Sequence, residues 1–207
     1  MRKRRPAPSL LALLAASAGL LACAAGADPA AAAAEKPRIG APAPDFTLPP
    51  AAGGPAVALK DLVARSKAVV VIFDATQCPV ARAYKGRVGA LGKEFGGKGV
   101  TFVTINSNKT EPAAEVAEDA KKNGFAFPVL KDEGNRVADL YDAQHTPQVY
   151  VVDPKGALVY TGRIDEKMDD PEHVASPDLR DALEAILAGK PVPKPETKAF
   201  GCSIKRV

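Results

Sequence analysis

Cysteine is scarce in this sequence, which has only three, Cys23, Cys78 and Cys202, among its 207 residues. No two of them are close enough to form a CxxC pair. The residue four positions after Cys78 is Arg82, so a CxxxC pair is absent as well. Any chemistry that uses two sulfurs must therefore bring them together from distant parts of the chain.

Apolar runs long enough to span a bilayer are also lacking. The N-terminal run LLALLAASAGLLA is short for a transmembrane helix and follows the basic start MRKRR, which together are typical of an export signal. A cut after AGA, before Asp28, gives a signal over residues 1–27. A cut inside the lipobox-like LLAC gives a signal to residue 22 and a lipidated Cys23. We therefore predict an exported protein, either periplasmic or tethered to a membrane through Cys23, and the sequence leaves both open.

A surplus of basic residues is absent once this signal is removed. The four basic residues of the signal account for the formal net charge of +4, so the mature chain is close to neutral. Its charge gives no reason to expect a nucleic acid partner. The sequence shows no internal repeats, and no further candidate for a membrane-spanning segment follows the signal. About 180 residues remain, enough for one domain with a proper core.

The mature chain divides into three parts by composition. Residues 28–44 are rich in alanine and proline and predict a flexible leader. Residues 45–189 alternate buried-strand runs, such as AVVVIF and VTFVTIN, with helical patterns, and then continue into a hairpin pattern and a final amphipathic helix. Residues 190–207 form a proline-rich arm that carries Cys202. The alternation predicts an α/β sandwich with a central mixed β-sheet flanked by helices.

Cys78 stands where a strand gives way to a helix. The run KAVVVIF ends just before FDATQCPVARAY, and Pro79 suits the first turn of the helix that follows. A helix N-terminus stabilises negative charge, and the thiolate is the reactive form of cysteine. Cys78 is thus a candidate nucleophile, and the alternative is a buried, inert cysteine that only fills space.

These segments together resemble the peroxiredoxin-like branch of the thioredoxin superfamily, the alkyl-hydroperoxide-reductase/redoxin group often found in exported bacterial proteins. The resemblance covers roughly residues 39–164 and rests on IGAPAPDFTL, VVVIFDATQCPVARAY, the Thr-Pro of QHTPQ, the hairpin VVDPKG and the tail AFGCSIKR. It implies a thioredoxin-like fold and a thiol-dependent oxidoreductase without a cofactor. Its substrate would be a protein disulfide or a peroxide, and its electron donor an external thiol.

The resemblance also suggests roles for residues around Cys78. Thioredoxins carry a cis-proline before a strand of the sheet, at a position that Pro147 matches, and the backbone of Thr146 would then lie against the reactive sulfur. His145 is a candidate hydrogen-bond donor to the thiolate or a proton shuttle. Compared with the CxxC pattern of thioredoxins, Cys78 matches the second cysteine, and Ala75 takes the place of the first.

The sequence departs from the peroxiredoxin pattern in two places. Ala75 stands where that family has a threonine or serine, and the loop HTPQ lacks the activating arginine. Arg82 and Arg163 are the candidates to replace that arginine. These departures argue against efficient peroxidase activity.

Cys202 is the candidate partner of Cys78. The prolines of its arm favour an extended chain of about 3 Å per residue, which is long enough to return to the domain, and the apolar residues of AFGCSI favour docking. We predict an intramolecular disulfide that either resolves a catalytic intermediate or acts as a structural staple. The alternative is an exposed free thiol.

A second class of function would use the same residues. Cys78, His145 and Cys202 could hold Cu(I) or another soft metal, as in thioredoxin-fold copper chaperones, although the CxxxC pair of those chaperones is absent. The favoured hypothesis is the redox enzyme, with Cys78, Cys202, Thr146 and Pro147 as its catalytic residues.

Overall fold

The computed structural model describes Met1 and residues 36–207. The rest of the predicted export signal, Cys23 and residues 28–35 of the predicted leader lie outside the described residues. Within residues 36–207, no helix combines the length and the apolar composition needed to cross a bilayer.

Nine strands and five α-helices follow one another in the described part of the chain. The strands are β1 (Thr47–Leu48), β2 (Val57–Ala58), β3 (Ala68–Asp74), β4 (Val100–Asn106), β5 (Val129–Lys131), β6 (His145–Thr146), β7 (Gln148–Val152), β8 (Leu158–Gly162) and β9 (Cys202–Ser203). The helices are α1 (Leu59–Val63), α2 (Pro79–Gly96), α3 (Ala113–Lys122), α4 (Arg136–Leu140) and α5 (Asp178–Leu187), with short 3-10 helices at Glu133–Asn135 and Pro171–His173.

A mixed five-stranded sheet forms the centre of the fold, in the order β5-β4-β3-β7-β8. β3, β4 and β5 run parallel, whereas β7 is antiparallel to both of its neighbours, β3 and β8. β7 and β8 form the predicted hairpin. The predicted α/β sandwich with a central mixed sheet is therefore confirmed.

The central strand β3 is buried on both faces. Side chains alternate between the faces of a strand, so Val69, Val71 and Phe73 enter one core, while Val70 and Ile72 enter the other. Side chains of α1 and α4 line the first core, and side chains of α2 and α5 line the second. Burial on both sides explains why β3 is a continuous apolar run rather than an alternation of apolar and polar residues.

The ordered domain begins before Asp45, the start expected from the sequence. The amide of Gly40 donates to the carbonyl oxygen of Leu158 (2.8 Å), and the carbonyl oxygen of Pro44 accepts from a tyrosine hydroxyl (2.7 Å). The prediction of a flexible leader is therefore wrong for residues 40–44. Hydrogen bonds to backbone groups hold this segment, and its alanine- and proline-rich composition did not reveal them.

The C-terminal arm returns across the domain to β6. The amide of Thr161 donates to the carbonyl oxygen of Pro195, and the amide of Thr197 donates to the carbonyl oxygen of Thr161, both at 2.9 Å. β9 then pairs antiparallel with β6, and Ile204 is buried in the core lined by α1 and α4. The apolar residues around Cys202 dock on the domain, as the sequence suggested.

Candidate functional site

Cys78 caps the N-terminus of α2. Its backbone is extended (φ −77°, ψ 119°), and its Sγ accepts a hydrogen bond from the amide of Ala81 (3.4 Å). The first amides of a helix have no partner inside it, so a capping acceptor satisfies one of them. Pro79 takes the first helical position, where an N–H would have no partner. The structure thus has Cys78 at the predicted strand–helix junction, 4 % exposed.

The structure matches Cys78 to the first cysteine of the CxxC pattern and not to the second, which was the match expected from the sequence. Ala75 is fully buried directly after β3, so the position three residues before Cys78 is closed to a substrate. Ala81, three residues after Cys78, stands in the first turn of α2 with its amide on the Cys78 sulfur. Cys78 therefore occupies the place of a first, helix-capping cysteine, and Ala81 replaces the second.

Thr146 and Pro147 lie against Cys78. The peptide bond between them is cis, as predicted, and the Cys78 thiol donates to the carbonyl oxygen of Thr146 (3.1 Å). Thr146 is buried. The backbone of the β6 loop and the N-terminus of α2 thus meet at one sulfur.

Cys202 completes the site from the C-terminal arm. In the antiparallel pair of β6 and β9, Cys202 lies opposite Thr146, and its side chain packs on a small cluster formed by Ala75, Cys78 and Ala81. Both thiols are free rather than joined in a disulfide. Two cysteines that are distant in sequence are therefore neighbours in the fold.

The two thiols differ in acidity. Burial by itself would raise the pKa of Cys78, but hydrogen bonds to its thiolate from the Cys202 thiol and the Ala81 amide outweigh this effect and lower the pKa. The Thr146 hydroxyl adds to the lowering. Burial and the hydrogen bond donated to Cys78 raise the pKa of Cys202. Cys78 is the sulfur that the site stabilises as a thiolate.

This difference predicts the pH dependence of alkylation. The rate for Cys78 should rise with pH as the thiolate forms, with a midpoint below the ordinary cysteine value of about 8.5. In Cys202→Ala, which removes a hydrogen-bond donor to the thiolate, the midpoint should move upward. Iodoacetamide labelling with mass mapping of each cysteine measures both midpoints. A wild-type midpoint at or above the ordinary value, or no difference between the proteins, would contradict the assignment.

A buried carboxylate that sequence reasoning missed holds the loop before Cys78. Glu111 is 1 % exposed, and its carboxylate accepts from the amides of Thr76 (2.8 Å) and Gln77 (3.0 Å). The side-chain amides of Asn106 and Asn108 donate to the same carboxylate. A carboxylate with four donors keeps its charge when buried, so Glu111 fixes the position of the loop.

Asn108 connects this network to the arm that carries Cys202. Its side-chain oxygen accepts from the amide of Lys205 (2.8 Å), and the amide of Lys109 donates to the carbonyl oxygen of Lys205 (2.9 Å). The same group of polar residues thus positions the segments that carry both sulfurs. The sequence signal was weak: two asparagines and a glutamate after a buried strand, NSNKTE.

The two arginines proposed to activate the thiol are engaged elsewhere. Arg82 donates through Nε to the carbonyl oxygen of Thr76 (2.6 Å), and Arg163 donates through Nε to the buried carboxylate of Asp178 (2.7 Å). His145 lies in β6, next to Thr146, and its Nδ1 is buried without a hydrogen-bond partner among the described residues. These contacts give no support to an arginine-activated peroxidatic thiol.

The metal-binding alternative lacks a ligand cluster. Within residues 36–207, no three histidine, cysteine, aspartate or glutamate side chains are grouped so that they could hold a metal ion. Cys78, His145 and Cys202 therefore do not form the three-ligand set that the sequence suggested.

The fold and the site together define a class. A capped thiol at the end of a central strand, beside a cis-proline, on a mixed sheet flanked by helices, is the arrangement of the thioredoxin superfamily. The sequence profile of the AhpC/TSA family matches residues 39–161, and the chain belongs to that family. The predicted resemblance is confirmed.

Curated relatives agree with this assignment. The chain is 30% identical over 131 residues to the thiol-disulfide oxidoreductase ResA of Bacillus subtilis (strain 168), which covers 62% of this chain and 70% of the relative. ResA of Oceanobacillus iheyensis is 32% identical over 124 residues, 58% of this chain and 62% of that protein. These relatives confirm the predicted enzyme class, thiol–disulfide oxidoreductase.

Solved structures support the fold. A hypothetical protein from Sinorhizobium meliloti 1021 superimposes with a TM-score of 0.76 and 32% sequence identity, over 82% of this chain and 95% of that chain. The peroxidoxin BcpB of Mycobacterium tuberculosis has a TM-score of 0.58 at 23% identity, over 74% of this chain and 97% of that chain. The second likeness is one of fold alone.

Proposed function

We propose that this protein is an exported thiol–disulfide oxidoreductase that forms and breaks a disulfide between Cys78 and Cys202. The observation that carries the proposal is the packing of the Cys202 side chain on the cluster that contains Cys78, with Cys202 opposite Thr146 in the β6–β9 pair. Oxidation of the pair by a substrate disulfide takes two electrons from the two sulfurs and reduces the substrate to two thiols. An external thiol donor then returns the two electrons.

The site favours disulfide exchange over peroxide reduction. Ala75 supplies no hydroxyl, and the two candidate arginines donate to a backbone carbonyl oxygen and to Asp178 instead of to Cys78. A peroxide needs donors that polarise its O–O bond, whereas a disulfide needs a thiolate and an accessible partner sulfur. Cys202, partly exposed and packed next to Cys78, is such a partner sulfur.

Export is the second part of the proposal. The basic start, the short apolar run and the small residues before Asp28 support a cleaved signal, and LLAC supports the alternative of a lipidated Cys23 that tethers the protein to a membrane. A disulfide that forms and breaks suits an oxidising compartment outside the cytoplasm.

Peptide mapping of the purified protein tests the proposal. Mild oxidation should yield a peptide that joins Cys78 to Cys202, and the same map should show a mature N-terminus at Asp28 or an acylated Cys23. Cys78→Ser and Cys202→Ser are matched variants that each remove one sulfur with little change in volume. Each should lower reduction of a model disulfide such as insulin to the level of the buffer blank.

Two outcomes would contradict a redox-active pair. If both thiols stay free after mild oxidation and no linked peptide forms, the pairing is wrong. If Cys202→Ser strongly destabilises the protein but leaves turnover unchanged, the disulfide is a structural staple. A folded Cys202→Ser protein that accumulates a sulfenic acid or a mixed disulfide supports the redox role.

A further inference from the structure

β9 fills the edge of β6 beside the site. A strand edge offers free N–H and C=O groups, and an extended peptide commonly binds a protein by adding to such an edge. Here β9 already pairs with β6, Cys202 opposite Thr146 and Ser203 opposite His145. A polypeptide that approached Cys78 along β6 would therefore have to displace the protein's own C-terminal strand.

Contacts on both sides of Cys202 anchor this strand. Before it, the ring of Phe200 packs against the ring of Tyr84 in an edge-on arrangement, with centroids 6.2 Å apart. After it, Ile204 is 7% exposed, and its amide donates to the carbonyl oxygen of Gln144 (3.1 Å). With β9 held in this way, Cys78 is covered while Cys202 stays partly exposed.

From this geometry we infer that external thiols reduce the pair through Cys202, the outer sulfur, and not through Cys78, the inner sulfur. The inference rests on the proposed function, because it requires a disulfide between the two cysteines. In a CxxC pair, the external thiol attacks the helix-capping cysteine. Here the roles are exchanged, because the strand that supplies Cys202 also covers Cys78.

The step balances in atoms and electrons. The donor thiolate attacks Sγ of Cys202, a bond forms between the donor sulfur and Cys202, and the bond between Cys202 and Cys78 breaks. The electron pair of the broken bond leaves on Cys78 as a thiolate. A second donor thiol, or the second sulfur of a dithiol, then attacks the donor sulfur and releases Cys202, which takes up a proton, and the donor leaves as a disulfide.

The site also favours this direction of cleavage. In thiol–disulfide exchange, the sulfur with the lower pKa is the better leaving group. The amide of Ala81 at the N-terminus of α2 donates to the Cys78 sulfur (3.4 Å) and stabilises a thiolate there, whereas Cys202 lies in a strand and not at a helix N-terminus. Exposure and leaving-group ability therefore select the same sulfur for attack.

Glutathione mapping tests the inference. The oxidised protein is mixed with excess glutathione, quenched with acid at short times, denatured, and alkylated with N-ethylmaleimide before digestion. Glutathione should be found on the Cys202 peptide and N-ethylmaleimide on the Cys78 peptide, with at least about tenfold preference over the reverse pattern. The same oxidised protein unfolded in urea is the control, and it should lose most of the preference because both sulfurs are then accessible.

The outcomes separate this inference from the proposed function. If the starting material contains no peptide that joins Cys78 to Cys202, the proposed function fails, and the inference fails with it. If the linked peptide is present but glutathione appears mainly on Cys78, or equally on both, only the inference is overturned. A preference that survives unfolding also overturns it, because the cause would then be local sequence and not the fold.

Discussion

Gly201→Ala should slow formation of the Cys78–Cys202 disulfide by about 100-fold, since a displacement of about 1 Å of a reacting group can cost this much. A Cβ at position 201 would lie 2.1 Å from the carbonyl oxygen of Thr146 and 2.8 Å from its carbonyl carbon. The backbone of Gly201 also has φ +147°, a conformation that residues other than glycine rarely adopt. A methyl group fixed to the backbone cannot rotate away, so β9 must move off β6.

The displacement should also change the acidity of Cys78. The Cys202 thiol donates a hydrogen bond that helps to lower the pKa of Cys78, and that bond is lost when β9 moves. The alkylation midpoint of Cys78 should therefore rise toward the ordinary value. The rate of disulfide formation is measured by mass mapping at a fixed concentration of a mild oxidant, and alkylation is measured against pH on the reduced protein.

Gly156→Ala is the matched control. Gly156 lies between β7 and β8 with φ +83°, and a Cβ there would meet nothing within 4 Å. The variant should lose about 1 kcal/mol of stability from the left-handed backbone, but it should form the disulfide at the wild-type rate. If Gly201→Ala also forms the disulfide at the wild-type rate, contact with Thr146 does not set the position of Cys202.

The parts of the site that could be predicted from the sequence are those with local signals. The apolar run of β3, followed by Cys78 and Pro79, predicts a thiol at a helix N-terminus, and Cys78 lies there in the structure. The Thr146–Pro147 pair carried its own signal through the resemblance to thioredoxins. The match to the CxxC pattern was wrong, however: the sequence comparison took Cys78 as the second cysteine, whereas Cys78 caps α2 and holds the place of the first.

The parts that could not be predicted depend on pairing between distant backbone segments. β6 and β9 are two residues each and have no periodicity to read, and residues 40–44 are held through backbone groups near β8. Glu111 is buried by hydrogen bonds to backbone amides about 35 positions away in the chain. Every residue type except proline presents a backbone N–H, so such contacts leave little trace in composition or spacing.

Glu111→Gln should destabilise the protein by about 3 kcal/mol at neutral pH, since hydrogen bonds to a charged acceptor contribute about 1.5–3 kcal/mol each and an unpaired buried donor is costly. The carboxylate accepts from the amides of Thr76 and Gln77 and from the side-chain amides of Asn106 and Asn108. A glutamine would turn one acceptor oxygen into a donor that faces other donors. The free energy of unfolding by urea, compared with the wild type, measures the loss.

The difference between the two proteins should depend on pH in a defined direction. Burial alone would raise the pKa of Glu111, but hydrogen bonds from the Thr76 amide and from the two asparagines outweigh it and lower the pKa. A carboxyl group with a lowered pKa in the folded state adds stability above its unfolded pKa of about 4.3, and that stability is lost as the pH falls through the folded value. The difference in the free energy of unfolding between the wild type and Glu111→Gln should therefore be largest at neutral pH. It should shrink as the solution becomes more acidic than about pH 4.3. Glu118→Gln, an exposed change of the same charge in α3, should show neither the loss nor the pH dependence. An equal loss in both variants would mean that net charge, not the buried network behind Cys78, is responsible.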